Sequence, residues 1–100
     1  MSRATIPIIE AIRSKRLLAF VYHGAPRIVE PHTYGLDKWQ REMLCAYQVQ
    51  GLSRSGGAHG WRTFVVDEIT DARLETHHFD DARPEYRRND GAFEKILAQL

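Results

Sequence analysis

Leu17-Leu18-Ala19-Phe20-Val21-Tyr22, then His23-Gly24-Ala25-Pro26, then Arg27-Ile28-Val29-Glu30-Pro31-His32: across this stretch the chain changes period. The first six residues form a nearly continuous apolar run rich in strand-forming types. Gly24 and Pro26 supply what a tight reversal needs. A second strand is expected over Arg27 to Tyr34, with Pro31, which cannot donate to a ladder, marking an edge or a bend.

Upstream the spacing is helical. Ile8, Ile9 and Ile12 fall on one stripe, Thr5 stands at an N-cap position, and Pro7 is tolerated in the first turn. Glu10 near the N-terminus and Arg13, Lys15 and Arg16 in the last turn complement the helix dipole. This predicts a helix over residues 6–15.

Downstream, Gly35 to Arg41 reads as a polar turn containing Trp39. Glu42 to Gln50 is a third strand, with Met43, Cys45, Tyr47 and Val49 on one face and Leu44, Ala46, Gln48 and Gln50 on the other. Gly51 to Gly60 holds four glycines and predicts a loop. Trp61 to Val66 is a fourth strand, Asp67-Glu68-Ile69 a brief turn, and Ala72 to Phe79 a fifth strand. A charged connector over 80–91 contains Pro84. Phe93, Ile96, Leu97 and Leu100 then predict an amphipathic helix over 92–100. The whole reads as one domain, mainly β, with a barrel over 17–79. A helix followed by five short strands, then a closing helix, is the order of a small five-stranded antiparallel barrel of the Sm/SH3-like type, whose closure would manage the sheet edges.

Length and composition bound the function. One hundred residues bury roughly two-thirds of the unfolded surface, enough for a small core without disulfides. The single Cys45 cannot bridge within the chain and reads as a small buried hydrophobe, which predicts a reducing, cytoplasmic setting. No apolar run reaches the roughly 18 residues of a membrane span, and charges interrupt the N-terminal stretch before a signal-peptide core could form. Charge is lopsided. Residues 1–66 carry nine Lys/Arg against Glu10, Glu30, Asp37 and Glu42, while 67–100 carry five against nine acids. An anionic ligand would favour the first part, and the acidic end would repel it or mimic it.

The order of these segments resembles the WYL domain family. The carriers are the helix with its cationic end, the Phe20-Val21-Tyr22 strand, Arg27-Ile28-Val29-Glu30-Pro31-His32, Leu44-Cys45-Ala46-Tyr47, and Arg62-Thr63-Phe64-Val65-Val66-Asp67-Glu68-Ile69. The tripeptide that names the family falls on Glu42-Met43-Leu44, so two of its three positions differ. The resemblance implies an Sm-like barrel whose basic residues sense nucleic-acid strands or nucleotide-like ligands in regulatory proteins. It places that role on Arg62 first and Arg27 second. The helix-turn-helix or helicase that usually accompanies such a module finds no room here.

Six residues are therefore candidates for holding an anionic, flat ligand. Arg62 has the forked guanidinium suited to phosphate or a base edge, and its other open role is an ion pair with Asp67, Glu68 or Glu30. Trp61 and Arg62, as strand neighbours, face opposite ways. Arg27 adds a second cation. Arg54, in the Gly-rich loop, could join a backbone anion nest, though no P-loop continuation follows. Tyr47 and Trp61 could stack a base. His32 could line a pocket beside Arg27 or lie on the surface. The histidines lack metal-ligand spacing, no nucleophile–base pair is present, and the acid pairs sit in turns without an apolar pocket, so neither catalysis nor a cofactor is expected. The competing expectation is a protein-interaction subunit that homo-oligomerises or docks a regulator through sheet edges and the C-terminal helix.

Overall fold

The structure, a computed structural model, describes residues 3–51 and 59–100. Helix α1 (Thr5–Ser14) leads into β1 (Arg16–Tyr22), β2 (Ala25–Leu36), β3 (Glu42–Gly51) and β4 (Gly60–Val65). A single 3₁₀ turn (Val66–Glu68) then precedes β5 (Ile69–His78) and β6 (Lys95–Gln99). All strand pairs are antiparallel. The sheet runs β4-β3-β2-β1-β5, and β6 pairs with β2.

Local chemistry explains the joints. Helix α1 ends where Lys15 adopts a left-handed φ of 54° and its N–H returns to Ile12. His23 and Gly24 both take positive φ, so β1 turns into β2 through a two-residue hairpin of the primed type, and Pro26 lies in the strand beyond it. Thr5 is not the N-cap, a position held by Ala4. Thr5 is already helical and turns inward, its hydroxyl 3.2 Å from both the Tyr34 hydroxyl and a Glu42 carboxylate oxygen.

Two expectations are corrected. The closed five-stranded barrel does not form, because the sheet is open and no ladder joins β4 to β5 among the described residues. The C-terminal helix is absent; that segment is β6. Ala98 and Leu100 pack against the core while Leu97 stays outside, the alternation of a strand and not of a helix. Pairing with β2 over Thr33 to Leu36 decides between the periods. Of the two places open to Pro31, an edge or a bend, the edge does not hold, since β2 is central. Pro31 stands between the β2 residues that pair with β1, ending at Val29, and those that pair with β6, starting at Thr33, beside a register shift toward β3. The missing donor falls where the partner changes.

The core lies on the inner face of this bent sheet. Leu18, Phe20, Val29, Tyr34, Leu44 and Phe64 are essentially sealed and meet Ile8, Ala11 and Ile12 of α1. Phe20, Tyr22 and Phe64 form an edge-to-face triad at 4.9–6.4 Å. The Tyr22 hydroxyl accepts the Val65 N–H at 3.1 Å, so the sheet curls enough for β1 to reach the end of β4. No helix among the described residues is long and apolar enough to cross a membrane.

Close approach of β6 depends on Gly35. A Cβ there would stand 2.2 Å from the Lys95 carbonyl oxygen and 3.0 Å from Ile96 Cα. Gly35→Ala should therefore destabilise the domain by about 1–3 kcal/mol. In native-state hydrogen exchange, Ile96 to Leu100 should lose protection while α1 keeps it. Unchanged protection across β6 would refute this account of its docking.

Candidate functional site

The six candidates do not converge on one place. Strand alternation sends Arg27 and Arg62 to the inner face, and His32, Tyr47 and Trp61 to the outer side; Arg54 lies outside the described residues.

On the inner face, Arg27 pairs in register with Phe20, and Arg62 with the buried Ala46. Arg27 is only 7% exposed. Its Nη1 donates to Gln48 Oε1 at 3.3 Å and its Nη2 to the Tyr22 carbonyl at 3.3 Å, while its Nε is buried without a hydrogen-bond partner among the described residues. The guanidinium lies 5.3 Å from the Tyr22 ring centre and 5.8 Å from that of Phe64. No carboxylate pairs with it among the described residues. Burial pulls its pKa below the ordinary arginine value; Tyr22 opposes this, and the positive charge of Arg62 adds to it. Two arginines are thus close enough to repel. Arg27 also helps wall a cleft of about 330 Å³, with Phe20, Val21, Pro26, Gln50 and Arg73.

Arg62 is half-buried, and its Nη1 donates to the Trp61 carbonyl at 2.9 Å. Two of the acids open to it as ion-pair partners are engaged elsewhere: Glu30 with Arg83 and Glu68 with His23.

The outer face is covered by the chain itself. Tyr47 and Trp61 are cross-strand partners, edge to face at 5.7 Å. Over Tyr47 sits the Arg83 guanidinium, 4.3 Å from the ring centre, gripping Glu30 through two bonds of 2.7 and 2.9 Å. Trp61 Nε1 donates to the Pro84 carbonyl at 3.2 Å. His32, a possible surface residue by sequence, is fully buried among Trp61, Phe79 and Tyr86. The connector therefore occupies the stacking surface that Tyr47 and Trp61 would have offered. The connector group that lands on Tyr47 is a cation. Cys45, expected buried, is half-buried; burial and Asp90 push its thiol pKa up, against a hydrogen bond with Thr63.

Sequence reasoning missed Arg83, Gln48 and the Lys38-Trp39-Gln40-Arg41 turn. Arg83 pairs with Glu30 across 53 residues and Gln48 meets Arg27 across 21, separations that no local pattern signals. The turn did carry a signal, an aromatic residue among cations. Compared with known proteins, the chain matches no protein-family model, no curated protein and no solved structure.

The His32 environment sets a pH dependence. Its Nδ1 lies 2.7 Å from the Glu30 carbonyl, which only accepts, so Nδ1 carries the proton and Nε2 accepts the Arg83 N–H at 3.1 Å. Burial lowers the His32 pKa from 6.5; the Glu30 carbonyl bond and the Glu30 charge oppose this, and Arg83 adds to it. Below about pH 6.5 the unfolded chain binds a proton that folded His32 refuses, so stability is complete above that pH and falls as pH drops. Between pH 7.5 and 5 the melting temperature should decline, and His32→Asn, less stable at neutral pH, should lose that part of the slope. Equal slopes in both proteins would refute it.

Proposed function

We propose that this domain is a regulatory sensing module that binds a phosphate-bearing ligand of nucleotide type, either single-stranded nucleic acid or a nucleotide, and performs no reaction. The observation that carries the reading is Arg27: a buried guanidinium on the same inner face as Arg62, with no carboxylate partner among the described residues. A desolvated cation lowers stability unless something anionic completes it. A phosphate between Arg27 and Arg62 would supply that charge, and Gln48 beside them adds a polar contact. The motif order that resembles the WYL family points the same way, and the single half-buried thiol suits a reducing, cytoplasmic setting. His32, Tyr47 and Trp61 take no part in this version of the site while the connector holds them, Arg83 on Tyr47 and His32 and Pro84 on Trp61.

Titrations of oligonucleotide and nucleotide against salt concentration test it. Affinity should fall as salt rises. Arg62→Ala should weaken binding by about 1–3 kcal/mol, and Arg62→Lys should restore it only in part, since an ammonium lacks the planar fork. Arg27→Met should abolish binding and leave the melting temperature close to wild type, because an apolar chain of similar length removes the uncompensated charge. A sharp loss of stability in Arg27→Met with ligand affinity intact would make Arg27 structural. No binding at low salt to DNA, RNA or nucleotides would favour the interaction-subunit reading, now through sheet edges without a C-terminal helix.

A further inference from the structure

We infer that the β2–β3 turn is a second contact for a single strand of nucleic acid, with one base stacked on Trp39 and neighbouring phosphates held by Lys38 and Arg41. The inference rests on the reading of Arg27 and Arg62 as an anion site, and it narrows that reading from a nucleotide to a strand.

The turn is built to hold a ring in water. Asp37, itself 8% exposed, accepts the N–H groups of Trp39 and Arg41 on one carboxylate oxygen, both at 2.9 Å, and the Arg41 Nε on the other at 2.9 Å. Backbone bonds of 3.0 Å from Asp37 to the Arg41 carbonyl and from Gln40 to the Asp37 carbonyl close it, with Gln40 at a left-handed φ of 64°. Burial opposes ionisation of Asp37, but the Arg41 and Trp39 bonds together hold its carboxyl below the usual range, so the brace stays charged. On this frame Trp39 is 65% exposed. The Lys38 ammonium lies 4.6 Å from its ring centre and the Arg41 guanidinium 5.2 Å.

A large apolar ring held in solvent by a braced turn, with two cations close by, matches what an unpaired strand presents: flat bases and regularly spaced negative charge. A membrane surface would call for a wider apolar face, whereas Trp39 is surrounded by the exposed Lys38, Gln40 and Arg41. Position sets the ligand's length. Arg27 lies near one end of β2 and Trp39 just beyond the other, opposite ends of a strand that would span about 30 Å if straight. The molecule itself measures only 28 × 28 × 25 Å. One nucleotide reaches one point; a strand reaches both.

The test uses the full chain carrying 5-fluorotryptophan, whose two ¹⁹F signals are assigned by losing one in Trp39→Phe. An oligothymidylate of about twelve nucleotides should shift the Trp39 signal, and thymidine monophosphate should not. Trp39→Ala should weaken the oligonucleotide about tenfold and leave the mononucleotide unchanged. If the oligonucleotide binds without shifting Trp39 and equally well in Trp39→Ala, the inference fails while the Arg27–Arg62 site stands. A Trp39 shift with phosphatidylserine vesicles but not with the oligonucleotide would reassign the turn to a lipid surface. If neither nucleotide ligand binds, both readings fall.

Discussion

Strand β2 must satisfy the backbone hydrogen bonds of twelve residues on two sides, and its neighbours are not all long enough. β3 matches it along one side from Arg27 to Leu36. On the other side β1 ends its pairing at Val29, and the far half of β2 would face the core unpaired. β6 fills that gap, with the Glu94 N–H to Leu36 and the Leu100 N–H to His32 extending the ladder at each end. From this constraint follow the open sheet, the seat of Pro31 at the change of partner, and the need for a residue without Cβ at position 35.

Bringing β6 to β2 obliges the connector after β5 to cross the outer face. Arg83 then finds Glu30 and Tyr47, Pro84 finds Trp61, and Tyr86 closes over His32 with its hydroxyl on the Leu100 carbonyl at 3.0 Å. A bidentate ion pair whose carboxylate is 8% exposed differs in kind from a surface pair. Removing either partner leaves the other charge stranded, which is why such pairs lock geometry more than they add net stability.

The two faces treat cations oppositely. Outside, Arg83 has a carboxylate and an aromatic ring, a complete set of partners that raises its pKa chiefly through the Glu30 bonds. Inside, Arg27 has an amide, a carbonyl and two rings, but no opposite charge among the described residues, and its pKa is lowered. The completed cation belongs to the fold, and the incomplete one is where a ligand's charge has most to offer.

The features legible in the sequence were local. Helix α1 and the first five strands follow from periods written within ten or so residues, including the alternation of Leu44, Ala46 and Gln48 against Met43, Cys45 and Tyr47, and the opposed directions of Trp61 and Arg62. Tertiary structure decided what depends on distant partners. Phe93, Ile96, Leu97 and Leu100 carry helical spacing, and pairing with the otherwise unpaired half of β2 overrode it, making Lys95–Gln99 a strand. Tyr47 and Trp61 had the right chemistry for stacking, yet a residue in the connector took their surface. The sequence left His32 open between a pocket and the surface, because short-range pattern reports which way a strand residue points, and burial depends on what else the chain folds over it.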